Sequence, residues 1–141
     1  MLDVAVPRPI ARFLAIPALD YIARLAVASP FLISGIVKLL DFGGARSEVA
    51  GLGLQPAALI AAAVIIVQIG GSILFLTRRH CWLGAGILAV FTAVATLLAH
   101  PFWAFDGPDR GRQAATFLEH VAIVGGLATA ALFVNGARSG R

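Results

Sequence analysis

Long apolar runs separated by short polar segments dominate this sequence. Residues 57–77 contain no charged side chain, and residues 81–99 are interrupted only by two threonines. Residues 117–134 and residues 21–40 form two further runs of similar length. About 20 mainly apolar residues suffice for an α-helix to cross the hydrocarbon core of a bilayer. The pattern therefore predicts an all-α fold, an integral membrane bundle of four transmembrane helices that forms a single domain over residues 1–141.

The segments before and between these spans are short. Residues 8–19 carry Arg8 and Arg12 among apolar residues and are interrupted by Pro17, which predicts a short N-terminal segment lying in the membrane interface. Pro17 and Asp20 also interrupt the apolar stretch that a signal peptide requires, so we expect the first 20 residues to be retained. Residues 41–56, which include four glycines, and residues 100–115 are predicted to be connecting loops.

The composition excludes a water-soluble enzyme. A soluble domain has about 25% charged residues, whereas this chain has 13% charged and 60% hydrophobic residues. The net charge of +4 comes from arginines that flank the apolar runs, and such arginines indicate topology and contact with lipid headgroups. They form no basic stripe interleaved with aromatic residues, so no nucleic-acid partner is expected. The single cysteine, Cys81, excludes an intramolecular disulfide.

The distribution of basic residues predicts the orientation of the chain in the membrane. Four spans place both termini on one side, and basic residues in short loops are enriched on the cytoplasmic side. The face that carries the termini has six basic residues, Arg8, Arg12, Arg78, Arg79, Arg138 and Arg141. The opposite face has four, Lys38, Arg46, Arg110 and Arg112. The chain is therefore predicted to be a multi-pass protein of the inner (plasma) membrane with both termini in the cytoplasm.

Polar and small residues fall on one face of each predicted span. In the first span this face holds Arg24, Ala28, Phe31, Gly35 and Lys38, because side chains three, four and seven residues apart share a helix face. The other spans have equivalent faces, with Gln68 and Ser72 in the second, Thr92, Thr96 and His100 in the third, and Glu119 and His120 in the fourth. Burying these faces against one another predicts a bundle with a polar interior, in which the paired glycines at 70–71 and 125–126 allow close helix packing.

Most of these polar residues would lie at the external end of the bundle, where they predict an outward-facing polar pocket. The candidate ligand-binding residues are Arg24, Lys38, Gln68, Thr96, His100, Trp103, Glu119 and His120. Ionisable groups in a membrane span commonly face the bundle interior and mark functional sites. No metal site is predicted, because adjacent residues such as Glu119 and His120 diverge by about 100° on a helix and do not readily point at one centre.

Structural alternatives exist for several candidates. Arg24 could pair with Asp20 one turn earlier or extend to the lipid headgroups, and Lys38 at a helix end could be an interfacial anchor. Trp103 could belong to an aromatic belt at the membrane surface. The hydroxyl of Thr96 could donate to a carbonyl of the preceding helical turn.

The order and spacing of these residues resemble the DoxX family of small four-span membrane proteins. The matching pieces, in chain order, are Arg24, Phe31, Gly35 and Lys38 with residues 39–42, then residues 68–71, 95–103, 117–120 and 124–127. The family often has a glutamate where this chain has Gln68 and an asparagine where it has His120. The resemblance implies a four-span fold. It also implies a link to redox complexes, since some members are membrane subunits of oxidoreductases that deliver electrons to quinone.

On this basis we expect an accessory membrane subunit of a quinone-linked redox complex, with quinone supplied by the membrane. The chain shows no flavin, nucleotide or iron–sulfur motif, so a redox centre would come from a partner, a soluble or membrane oxidoreductase, or from quinone itself. Two alternatives are a transporter of a small hydrophobic molecule, which with four spans would require a homo-oligomer, and a non-catalytic membrane scaffold. Membrane lipids are expected partners in every case.

Overall fold

The computed structural model describes the backbone of residues 6–139 and the side chains of residues 6–136. It contains six α-helices and one short 3-10 turn at Phe102–Ala104, and no strand within the described residues. The helices are α1 (Arg8–Leu14), α2 (Pro17–Leu40), α3 (Phe42–Gly51), α4 (Ala57–Leu76), α5 (Cys81–Ala99) and α6 (Gly107–Ser139).

Four of these helices are long and apolar enough to cross a membrane, which confirms the predicted all-α membrane bundle. They are α2, α4, α5 extended through Ala104, and α6 as far as Gly136. Their large apolar side chains point outwards: Leu59 and Ile66 are each 70% exposed and Leu132 is 73% exposed. Such a surface is favourable only against lipid, because water would not solvate it.

Helix α1 occupies the position of the predicted interfacial segment. None of its seven residues is buried, and Phe13 and Leu14 are more than half exposed. Pro17 does not simply interrupt the chain: it begins α2, where its fixed φ and missing N–H fit the first turn of a helix. A location of α1 in the membrane interface remains a prediction.

The prediction that residues 41–56 form a loop is wrong, because they contain α3. The carboxylate of Asp41 accepts a hydrogen bond from the backbone N–H of Gly44 at 2.9 Å, which caps the start of the helix. A Cβ on Gly44 would collide with that carboxylate, so this glycine permits the cap. Ala45 and Val49 then form a buried stripe that packs on Ala61 of α4. The glycines of residues 41–56 favour a loop, but the cap at Asp41 and the burial of Ala45 and Val49 stabilise a helix.

The predicted loop over residues 100–115 is also much shorter in the structure. Helix α6 begins at Gly107, whose φ of +58° allows a sharp change of direction that glycine tolerates best. Asp109 lies in the first turn of α6, where a negative charge is favourable, and it pairs with Arg112. Helix α6 therefore starts ten residues before the predicted span at 117–134.

The four long helices pack in the order α2, α4, α5, α6, and α2 touches α6 only sparsely. The shared core includes Phe31 of α2, Phe75 of α4, Leu88 of α5 and Leu127 of α6. We call the end of the bundle that holds the start of α2 the termini end, and the opposite end, covered by α3, the α3 end. The predicted inward faces are confirmed for α2, α4 and α5 by burial of Arg24, Gln68 and Thr96, among others.

The cytoplasmic location of both termini can be tested with reporters. Of the six basic residues behind this prediction, Arg141 and the side chain of Arg138 lie outside the described residues. A reporter active only in the cytoplasm, fused in turn to each terminus, is expected to give a signal at both ends. Activity of a periplasmic reporter at both ends, with silence of the cytoplasmic one, would reverse the assigned orientation.

Candidate functional site

A cavity of about 410 Å³ lies between the helices at the α3 end. This volume falls within the range of about 300–1,000 Å³ that is typical of small-molecule sites. Most of the wall is apolar, with Phe31, Phe91 and Ile123 among the larger contributors. The polar residues that line it are Ser34, Lys38, Glu48, Gln68, Thr92, His100 and His120.

Two histidines from different helices meet at this cavity. His100 directly follows the last residue of α5, and His120 lies on α6. The centroids of their rings are 5.2 Å apart, with the rings tilted by 54°. His120 Nδ1 lies 2.9 Å from Oγ1 of Thr96, and His100 Nδ1 lies 2.7 Å from Oε1 of Gln113. Each ring is therefore oriented by a hydrogen bond at Nδ1.

Gln113 is a participant that the sequence did not indicate. It was assigned to a loop, whereas the early start of α6 places it on a helix two turns before His120. Thr96 and His100 are four residues apart, a spacing that predicts a shared helix face. The partner of His100, in contrast, depends on where α6 begins. Pro108 and Asp109, residue types that favour the first turn of a helix, were the signal that could have indicated this start.

At the α3 end, Lys38 of α2 forms an ion pair with Glu48 of α3, with Nζ and Oε2 2.6 Å apart. Glu48 is a second residue that sequence reasoning missed, because the helix that presents it was predicted to be a loop. Val49 and Leu52 line the cavity beside it. Helix α3 and this ion pair therefore close one side of the cavity.

Gln68 contributes a deeply buried polar side chain to the cavity wall. It is 6% exposed, and its Nε2 donates to Oγ of Ser34 at 3.2 Å. Its Oε1 has no hydrogen-bond partner among the residues that the structure describes. A buried acceptor without a donor is unfavourable by about 1–3 kcal/mol, so a ligand that supplies a donor there would gain affinity.

The structure places Arg24 away from this cavity, at the termini end. It is 3% exposed and forms a salt bridge to Asp20 at 3.0 Å. Its Nη1 also donates to the carbonyl oxygens of Phe75 at 3.2 Å and Leu76 at 2.7 Å. The alternative in which Arg24 pairs with Asp20 is confirmed, and its contacts are those of a side chain that caps the end of α4.

Trp103 and Glu119 do not line the cavity either. Trp103 is 55% exposed and packs edge-on against Phe102 and Phe117. Glu119 is exposed on α6, whereas the neighbouring His120 is half-buried. The two side chains diverge as their adjacent positions on a helix require. Within the described residues, no group of three or more metal-ligating side chains comes together.

Of the eight candidate residues, the structure brings five together. Lys38, Gln68, His100 and His120 line the cavity, and Thr96 supports His120 through its hydroxyl group. Thr96 also donates to the carbonyl of Thr92 at 2.6 Å, which confirms the alternative given for threonine. The arrangement suits an apolar molecule with a polar head, which would be held by hydrogen bonds within a mainly hydrophobic wall.

Comparison with known proteins gives two matches. The model of the DoxX family matches residues 19–101, which is more than half of the chain. The inner membrane protein YphA of Escherichia coli (strain K12) is 30% identical over 128 residues, which cover 87% of this chain and 88% of the relative. No solved structure gives a significant match.

Proposed function

Because this chain belongs to the DoxX family of integral membrane proteins, we propose that it binds a quinone-type molecule and serves as an accessory membrane subunit of a redox complex. The observation that carries this proposal is the cavity at the α3 end, with its apolar wall and its pair of histidines. A lipid-soluble ring with polar substituents matches that combination, since the wall removes the ring from water and the polar groups orient it.

The position of the cavity supports entry of a ligand from the bilayer. The cavity is lined by Pro30 of α2 and by Ile123 of α6, the two helices that touch only sparsely. A tail attached to the polar ring could therefore extend between these helices into lipid. This path requires no opening towards water, which suits a molecule that is poorly soluble there.

A redox role for the chain would require a partner. The sequence has no flavin, nucleotide or iron–sulfur motif, so electrons would pass between the bound quinone and a soluble or membrane oxidoreductase. The name of the Escherichia coli relative supports a location in the inner membrane. In this arrangement the chain supplies the ligand site and the partner supplies the redox centre.

Filling the cavity tests the proposal. Ala95 on α5 lines the cavity, whereas Ala93 on the same helix faces outwards. We expect Ala95→Phe to weaken the affinity for the quinone-type probe at least about tenfold, which corresponds to about 1.4 kcal/mol. Ala93→Phe adds the same side chain towards lipid and is expected to bind like the unmodified chain.

The measurement uses the full chain in lipid nanodiscs that contain equal amounts of decylubiquinone and decylubiquinol. Native mass spectrometry then gives the amount of probe retained on each variant. Equal retention by Ala95→Phe and Ala93→Phe would contradict a site in the cavity, and it would favour a scaffold without a ligand.

A further inference from the structure

The hydrogen bonds of Thr96 determine which nitrogen of His120 carries the proton. The hydroxyl of Thr96 has a single hydrogen, which it donates to the carbonyl of Thr92 at 2.6 Å. Its oxygen can then only accept from Nδ1 of His120, 2.9 Å away. In the neutral ring, Nδ1 carries the hydrogen and Nε2 has a free lone pair. His120 is therefore a hydrogen-bond acceptor towards a ligand.

His100 follows the same logic with a different partner. Oε1 of Gln113 has no hydrogen to give, so it accepts from Nδ1 of His100 at 2.7 Å. Nε2 of the neutral His100 ring is then also an acceptor. With ring centroids 5.2 Å apart, the two acceptors serve the same part of a bound molecule.

The other polar groups of the cavity extend this pattern. Gln68, which lines the cavity, has an amide oxygen without a donor among the described residues. The strongest donor nearby, the ammonium group of Lys38, is 2.6 Å from the carboxylate of Glu48 and is engaged there. At the histidine pair and at the amide oxygen of Gln68, the open hydrogen-bonding positions are therefore acceptors. Donor hydrogens remain elsewhere on the wall, at the hydroxyl of Ser34 and the ammonium group of Lys38.

We infer that the cavity selects ligands that donate hydrogen bonds, and hence the hydroxyl-bearing, reduced form of a quinone-type molecule over its oxidised form. A quinone has only acceptor oxygens, which would face the lone pairs of the two histidines. A hydroquinone or another phenol supplies the hydrogens that these nitrogens lack. This inference rests on the proposed function in that it places the ligand in the same cavity, and it goes further by assigning the chemical form that is bound.

A pair of redox-inactive probes isolates the hydrogen-bond donor. 4-Nonylphenol and 4-nonylanisole share the same apolar body and differ by the replacement of a hydroxyl with a methyl ether. Each probe is titrated into the full chain in nanodiscs, and the bound molecules are counted by native mass spectrometry. The phenol is expected to bind about tenfold more tightly than the ether, because it forms one hydrogen bond to an otherwise unpaired acceptor. The mixture of decylubiquinone and decylubiquinol is likewise expected to leave an excess of the quinol on the chain.

Three variants connect this preference to the histidine pair. His120→Phe keeps an aromatic ring without an acceptor and is expected to bring the ratio of the two affinities close to one. Thr96→Val is nearly isosteric and removes the acceptor that fixes the proton on Nδ1, so the preference is expected to fall there as well. Thr129→Val makes the same change on the exposed side of α6, where the hydroxyl donates to the carbonyl of Gly125. It leaves the Thr96–His120 contact in place, so it is expected to keep the preference. Differences in partitioning of the probes into lipid cancel when the variants are compared.

Four results would overturn the inference. In the first, the unmodified chain binds the ether as tightly as the phenol. In the second, Thr129→Val loses the preference and Thr96→Val keeps it, which would contradict the assigned proton position. In the third, neither probe nor the quinone mixture binds, and then the proposed function fails as well. In the fourth, the chain binds decylubiquinone as well as decylubiquinol. This result would overturn the inference and leave the proposed function standing.

Discussion

Replacing Gly84 with alanine is expected to destabilise the bundle by about 1–3 kcal/mol, the cost of forcing an extra methyl group into a packed interior. A Cβ at this position would collide with the backbone nitrogen and Cα of Phe75 and with the carbonyl oxygen of Gly71. These are backbone atoms of α4, so no side-chain rotation can relieve the overlap. Helices α4 and α5 would have to separate, although small residues are what allow membrane helices to pack closely.

Gly86 provides the matched control on the same helix. A Cβ there meets no atom within 4 Å, so Gly86→Ala is expected to change the free energy of unfolding by less than about 0.5 kcal/mol. Thermal unfolding of the two variants in the same detergent gives the comparison. An equal shift for both variants would mean that the contact between α4 and α5 is less tight than the structure describes.

The contrast between these glycines shows what a sequence pattern can and cannot predict. The sequence pattern predicts close-packing positions at the paired glycines 70–71 and 125–126. Gly71 does lie against Leu88, but Gly70 and Gly125 face open space. The rotation of a helix about its axis decides which glycine faces a neighbour, and that rotation is set by packing across the bundle. Gly84 approaches the backbone of α4 most closely of these glycines. Nothing in the sequence distinguishes it from glycines that face open space.

The spans and their inward faces could be predicted because the bilayer imposes simple rules. Hydrocarbon thickness requires long apolar runs, and the helical period places Arg24, Gln68 and Thr96 on buried faces. The same rules do not predict the structure of segments outside the membrane. Glu48 and Gln113 were missed because the helices that present them depend on local capping at Asp41 and on the turn at Gly107.

The cavity illustrates a further limit of the sequence. The residues Lys38, Gln68, His100 and His120 were recognised as candidates, but their roles as donors or acceptors depend on partners in other helices. From its residue type alone, His100 could act towards a ligand as a donor or as an acceptor. In the structure its Nδ1 is engaged by Gln113, and Lys38 is engaged by Glu48. The chemistry of a polar site thus follows from pairings that no linear pattern specifies.

Replacing Arg24 with leucine is expected to have an even larger effect on stability, about 3 kcal/mol, which is typical when one partner of a buried ion pair is removed. Two groups would lose their donors at once. The carboxylate of Asp20, whose side chain is 15% exposed, would lose its main partner. The carbonyls of Phe75 and Leu76 in the last turn of α4 would lose the guanidinium that caps them.

Arg78 supplies the control for charge alone. Its side chain is 59% exposed and lies 3.5 Å from the same carboxylate of Asp20. An exposed pair contributes about 0–1 kcal/mol, so Arg78→Gln is expected to have a small effect on thermal unfolding. Arg24→Lys keeps the charge but loses the forked donors of the guanidinium group. Its loss of stability is expected to lie between those of Arg24→Leu and Arg78→Gln.

The Arg24 variants also separate a structural role from a role in ligand binding. Arg24 contacts the termini end of the bundle, and the cavity lies at the α3 end. Arg24→Lys is therefore expected to bind decylubiquinol with unchanged affinity per folded molecule while its unfolding temperature falls. Loss of affinity without loss of stability would contradict this separation, because it would place Arg24 in contact with the ligand. The structure instead divides the ionisable groups of the bundle between two tasks: Arg24 and Asp20 secure one end, and the histidines are available to a ligand at the other.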